Sequence, residues 1–317
     1  MLFRSEDGLI WVHVDYHAVH YVRILMDEVF GADNFVNEII WHYKSGGSTK
    51  RRFSRKHDNI LVYSKSKKYK FFPLEEKSYN RDFKPYRFKG VEEFRDEVGW
   101  YTMVNMKDVW EIDMVGRTSK ERTGYATQKP EALLTRVIES CTEPGDLVCD
   151  FFCGSGSFGA TAAKLGRNFI MCDQESLAIE TTAARLVHEG IPFTVYDQRK
   201  NRKSNLNSKV TVKTVEDFGE KRLISVDILG LALSNQEEYV DNRSLEKVKS
   251  LEEEDSLQLL MSWSIDFNYN GRIFNPERIY VRDKEKIETH CENIVAKDAR
   301  ICVKVCDAFG QTQFVYR

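Results

Sequence analysis

The sequence predicts an α/β chain of 317 residues: an α/β domain over residues 1–197, a linker at 198–209, and a small, mostly β appendage over 210–317. Three observations predict it. An apolar run, a glycine turn and a helical run follow one another from Leu147 to Gly166 and lead into a second apolar run that ends at Asp173. A strand, a helix and two further strands are legible before Lys65. After Tyr196 the pattern shifts to short alternating runs separated by turn residues.

Taken in order, LIWVHVD (Leu9 to Asp15) reads as a strand, and the segment after it as a helix followed by a two-strand ribbon ending in KHDNILVYSKS. Residues 73–124 carry Trp100 and Trp110 but little periodicity. LVCDFF (147–152) reads as a buried strand, CGSGS as a turn, FGATAAKLG (158–166) as a helix closed by glycine, and NFIMCD as the next strand. Together they form a nucleotide-binding βαβ half. Gly154 and Gly156 let the backbone approach a ligand, and Asp173 stands where an acid can accept hydrogen bonds from ribose hydroxyls. The turn is only G-x-G, which disfavours a pyrophosphate cradle and with it a nicotinamide oxidoreductase.

TQKPEALL upstream, PGDLVCDFFCGSGSFG and then FIMCD resemble the DNA amino-methyltransferases that use S-adenosylmethionine, with that family's motif X placed before motif I. The order is that of the β class, whose catalytic half precedes its cofactor half. The resemblance covers roughly residues 5–197 and implies a Rossmann-like methyltransferase sheet. It also implies that Asp150, Phe152, Gly154 and Gly156 hold the methionine part of the cofactor, Asp173 its ribose, and that Thr127, Gln128, Lys129 and Pro130 close over the methionine end. The implied activity is methyl transfer to adenine N6 or cytosine N4 in double-stranded DNA, adenine being the commoner target.

Enzymes of this kind hold the target amine with a (D/N/S)-P-P-(Y/F/W) loop. The six prolines here, at 73, 85, 130, 144, 192 and 276, include no adjacent pair, so no catalytic residue is assigned. By resemblance the loop belongs N-terminal to Ser5, and the expectation is a chain truncated before it and inactive as it stands. The alternative is a remnant that binds DNA and cofactor without catalysis. The family sheet runs 3-2-1-4-5-7-6, so loss of strand 4 leaves either strand 5 paired directly with strand 1 or an open slot.

Net charge of −2 hides a local asymmetry: Lys44 to Lys70 holds ten Lys or Arg residues against one acid, Asp58. Lys44, Lys50, Arg51, Arg52, Arg55 and Lys56, interleaved with Trp41, Tyr43 and Phe53, suit a nucleic-acid groove, and residues 42–124 are read as the DNA-facing, target-recognition segment. Beyond DNA, the partners considered are a restriction or helicase subunit, or a second copy of the chain. The seven cysteines lack a C-x-x-C pair, and Cys149, Cys153 and Cys172 read as small core or turn residues. His13, His17 and His20 are closely spaced but need not converge, so no metal is expected; Asp15 is the residue to test at that strand end. A charged start and the lack of a long apolar run predict a cytoplasmic protein with no membrane partner.

In the tail, Asp266, Asn268, Asn270, Gly271 and Glu277 satisfy an EF-hand expression, yet the alternation of SWSIDFNY up to Asn270–Gly271 predicts a hairpin with a type I′ turn. The charged stretch at 236–257 is expected to be helical or mobile.

Overall fold

The computed structural model describes residues 5–44, 49–125, 127–196, 204–238, 240, 242–282 and 286–317. It is an α/β fold that divides into two compact units: Met1–Glu121 with Lys129–Val148 and Lys164–Asn168, and Arg122–Gln128 with Cys149–Ala163 and Phe169–Arg317.

In the first unit, strand β1 (Leu9–Val14) leads into helix α1 (Val19–Phe30), then strands β2 (Phe35–His42) and β3 (His57–Ser64). Strands β4 (Glu75–Tyr79), β5 (Phe94–Arg95), β6 (Trp100–Asn105) and β7 (Val109–Glu111) follow, and β4, β6 and β5 form a small sheet within the stretch that showed little periodicity in the sequence. The main sheet runs β1-β3-β2-β7, with β7 parallel to β2 and the others antiparallel. Its first three strands reproduce the 5-7-6 order that the resemblance implied. NILVYS in β3 is buried almost throughout because it is flanked on both edges and covered on both faces. Leu61 and Tyr63 pack under Val19 and Met26 of α1, whereas Ile60 and Val62 pack with Trp41, Trp110 and Leu133. Leu133 comes from helix α2 (Glu131–Glu139), which Pro130 caps in an extended conformation.

Strand β8 (Leu147–Asp150), helix α3 (Ser157–Lys164), strand β9 (Asn168–Met171) and helix α4 (Ser176–His188) form the βαβα run. Strands β8 and β9 make a sheet of their own. The expectation of a buried strand over 147–152 is corrected here. The strand ends at Asp150, and alternate residues, Leu147 and Cys149 with Asn168 and Ile170, are exposed, since a two-stranded sheet leaves much of its surface uncovered. Cys149 and Cys172 are likewise exposed, and only Cys153 of the three is buried. Both β1 and β8 are edge strands, and no ladder joins them among the described residues.

The tail begins with β10 (Leu206–Asp217), which takes in the last residues of the expected linker; residues 197–203 lie outside the described residues. Strand β11 (Lys221–Leu233) pairs with it, helix α5 (Leu245–Asp255) takes up the charged stretch, and β12 (Leu260–Asp266), β13 (Arg278–Val281), β14 (His290–Ala296), β15 (Cys302–Asp307) and β16 (Thr312–Tyr316) complete it. They form sheets β10-β11-β14 and β13-β12-β15-β16 around one core. At its centre Trp263 is fully buried, stacks on Tyr280 at 4.6 Å and donates its indole N–H to the Glu288 carbonyl. Burying such a ring contributes roughly 2–3 kcal/mol.

The hairpin around Asn270–Gly271 takes another form than the sequence suggested. Strand β12 does pair with β13, with Ile265 opposite Arg278, but residues 267–277 form a long loop instead of a two-residue turn. The calcium-type side chains hold that loop's own backbone. Asp266 accepts from the Asn268 and Asn275 amides, Asn270 from Arg272 and Ile273, and Glu277 from Phe267.

Candidate functional site

The glycine turn is built by β8, which runs straight into it, and by α3, which starts at Ser157 as it closes. Gly154 and Gly156 both have positive φ, +51° and +72°, a region that glycine alone enters without strain. The Cys153 amide donates to the Cys172 carbonyl, so the turn is tied to the end of β9. The Gly154 amide donates to Asp173 Oδ2 at 2.9 Å, and the Glu175 amide to Asp173 Oδ1 at 3.0 Å.

Helix α4 grips the turn from behind. Thr182 Oγ1 donates to the Gly154 carbonyl at 3.0 Å and the buried Arg185 Nε donates to the Ser155 carbonyl at 2.9 Å. A Cβ at Gly156 would lie 2.7 Å from Thr182 Oγ1 and Cγ2, so this glycine is there to let the helix approach. Gly154 faces the other way, and the Tyr125 ring is what a Cβ there would meet, at 3.1 Å. Burial, and then the nearby Asp173 carboxylate, raise the Tyr125 phenol above its ordinary pKa. Tyr125, Thr182 and Arg185 were not picked out in the sequence. The one available signal for the latter two is a threonine and an arginine three apart on the apolar face of a helix.

The other expected residues fall as follows. Asp150 Oδ1 accepts from the Phe152 amide, and the Phe152 ring is 92% exposed, open to a ligand. Thr127 and Gln128 belong to the unit that holds the turn, and Gln128 Oε1 accepts from the amide and hydroxyl of Thr123. Ala126 lies outside the described residues. Lys129 and Pro130 belong to the first unit, where Lys129 stands close enough to His13 to depress its pKa. His13 is held by Asp58 at 3.0 Å, Asp58 also accepts from the Tyr43 hydroxyl, and burial, ahead of Lys129, lowers the imidazole pKa. Asp15 instead caps the turn into α1 through His17. His13 and His17 thus have separate partners, and among the described residues no group of His, Cys, Asp or Glu is disposed to hold a metal.

Asp173 suits a ligand with vicinal hydroxyls. A carboxylate offers about four acceptor positions, and the two backbone amides leave the remainder for hydroxyl donors. The carbonyls of the turn, by contrast, are already taken by α4.

The basic stretch connects β2 with β3. Lys44, Lys50, Arg51, Arg52 and Arg55 are exposed, Lys56 is half-buried, and Phe53 is 98% exposed. The Arg55 guanidinium lies 3.5 Å from the Tyr16 ring centroid, while the Lys44 amide is anchored by Asp113.

The sequence profile of the DNA methylase family, N6_N4_Mtase, matches residues 3–184. The chain is 31% identical over 198 residues to the type II methyltransferase M.HpaI of Haemophilus parainfluenzae, covering 62% of this chain and 59% of that one. It is 30% identical over 195 residues to M.HinfI of Haemophilus influenzae, covering 57% of this chain and 47% of that one. It thus spans about half the length of these relatives. A solved M1.HpyAVI–SAM complex is similar at 23% identity and a TM-score of 0.39, over 57% of this chain and 76% of that chain. With a match over more than half of its length, running from before β1 to within α4, the chain belongs to the DNA methylase family.

Proposed function

We propose that the protein binds S-adenosylmethionine at the Gly154–Asp173 turn and acts in methyl transfer to the exocyclic amine of adenine N6, or of cytosine N4, in duplex DNA. The observation that carries this reading is the turn itself: two left-handed glycines joined through an amide to a carboxylate that keeps acceptor capacity for ribose hydroxyls. Asp150, Phe152, Gly154 and Gly156 would contact the methionine portion, with Thr127, Gln128, Lys129 and Pro130 closing over it. When bound, the cofactor supplies a methyl group on a sulfonium.

The chain's own residues do the rest by positioning. Asp173 orients the ribose, and Thr182 and Arg185 keep the turn rigid so that little reorganisation accompanies binding. Lys44, Lys50, Arg51, Arg52, Arg55 and Lys56 neutralise phosphates and set the duplex in register. We read residues 1–197 as the methyltransferase domain and 210–317 as an appendage. The expected setting is the cytoplasm, where restriction or helicase subunits or a second copy are the candidate partners; no described helix is long and apolar enough to cross a membrane. A second reading, DNA and cofactor binding without transfer, is favoured by the lack of any adjacent proline pair in the sequence.

Calorimetric titration with S-adenosylhomocysteine, run beside a tritiated-methyl transfer assay on mixed-sequence duplex DNA, tests both. Binding with transfer supports the enzyme, and binding without transfer supports the second reading. No binding overturns the cofactor assignment.

A further inference from the structure

The sheet β4-β6-β5 carries a row of aromatic rings across all three strands. Tyr79 of β4 is directly opposite Tyr101 of β6, and Tyr101 is directly opposite Phe94 of β5. Cross-strand partners share a face, so the three rings stand side by side. Their centroids are 5.6 Å apart for Tyr79 and Tyr101 and 5.7 Å for Phe94 and Tyr101, and Phe83 extends the row at 5.9 Å from Tyr79. A hydrophobic core would bury such a row. Here Phe83 is 52% exposed, Tyr79 38% and Phe94 36%.

The loop from β4 to β5 is fixed beside the row. Glu93 accepts from the amides of Tyr86 and Arg87, both at 2.8 Å, and from Asn80 Nδ2. Asp82, Phe83 and Arg87 are held at φ +57°, a left-handed conformation that costs a non-glycine residue roughly 1 kcal/mol or more. Four exposed cations, Arg81, Lys84, Arg87 and Lys89, project from this loop, whose three acids are Asp82, Glu92 and Glu93, the last engaged by the loop's own amides. On the sheet itself, Lys77 lies 4.5 Å from the Tyr101 centroid.

We propose that this sheet face is a stacking platform for unpaired bases of a nucleic-acid strand, with the loop cations tracking its phosphates. Fixed, exposed rings flanked by cations match the two chemical features of a single strand, a π-face on every base and a charge on every linkage. In a duplex the base faces are covered by their neighbours, so the preferred ligand is a strand with bases unstacked. The inference rests on the reading that this chain binds DNA.

The test is fluorescence anisotropy of the full chain with a labelled mixed-sequence single strand of about 16 nucleotides and with the same sequence as a duplex. Phe83→Ala and Phe94→Ala are expected to weaken single-strand binding about tenfold each, with the salt dependence unchanged, since rings release no counterions. Phe94→Trp retains affinity, which separates stacking from damage to the sheet, and Tyr21→Ala, an exposed ring on α1, changes nothing. Wild-type affinity in both alanine variants, or an equal loss on duplex, overturns the platform. A wild-type chain that binds duplex but no single strand also overturns it and leaves protein docking as the role of this face. Failure to bind either nucleic acid strikes the DNA reading itself.

Discussion

The backbone amide of Gly154 and the carboxylate of Asp173 are joined by a 2.9 Å hydrogen bond, so the turn after β8 and the residue after β9 behave as one element. Hydrogen bonds to a charged group contribute about 1.5–3 kcal/mol. Asp173→Ala removes this bond as well as the proposed ribose contact. Affinity for S-adenosylhomocysteine should fall about tenfold to a hundredfold by calorimetry, and unchanged affinity would remove Asp173 from the site.

The two glycines of the turn should respond differently. Gly156→Ala places a Cβ 2.7 Å from Thr182 atoms at a φ of +72°, and the helix that carries Thr182 cannot retreat without releasing its bond to the Gly154 carbonyl. We expect a loss of roughly 2–3 kcal/mol in chemical denaturation. Gly154→Ala meets only the edge of the Tyr125 ring and should cost less, with Tyr125→Ala relieving part of the cost.

Glu180 of α4 and Lys304 of β15 form a buried ion pair, which ties α4 to the C-terminal sheet within the second unit. Lys304→Met strands a buried carboxylate and should destabilise by about 3–5 kcal/mol, whereas the double change to Met and Leu should cost less than either single change. A double change costing the sum of the two single changes would show the pair to be uncoupled.

Asp307 supplies a pH dependence whose sign follows from its surroundings. Its side chain is buried, Oδ2 has no partner among the described residues, and burial raises the pKa from 3.8 to about 6. The fold holds the proton more tightly than the unfolded chain does. This group's contribution is therefore most favourable below its unfolded pKa and is lost as pH rises through the window from about 4 to about 6. Asp307→Asn should be more stable than the wild type at pH 8, by about 2–3 kcal/mol, and the difference should vanish near pH 4. Melting curves across that range check it, and parallel curves would discard the assignment.

Reversing Lys50, Arg51 and Arg52 to Glu should lower duplex affinity and flatten the slope of log affinity against log salt by about 3, one for each phosphate no longer neutralised. An unchanged slope would move the groove elsewhere on the chain.

The βαβ run was legible because an apolar run, glycine and then a helical period are local signals, and each was set by a few adjacent residues. Gly154, Gly156 and Asp173 were identified on that basis, and the structure brings them together. What holds the turn was not legible. Thr182 and Arg185 reach it from a helix that begins near Ser176, and a polar residue facing a core leaves no periodic mark. The hairpin signal at Asn270–Gly271 failed for a related reason: Asp266 and Glu277 bind loop amides and hold open a longer connection than the local turn chemistry favours.

The sequence alone determined the α/β class, the position of the glycine turn after β8 and the basic stretch before β3, because chain-neighbouring residues encode each of them. Only the tertiary structure decided that β1 and β8 are both edge strands, that Glu180 is buried against Lys304, and that Tyr79, Tyr101 and Phe94 form one exposed row. Those facts depend on which strands pair and in which register, and a one-residue shift would turn the same side chains to the opposite face.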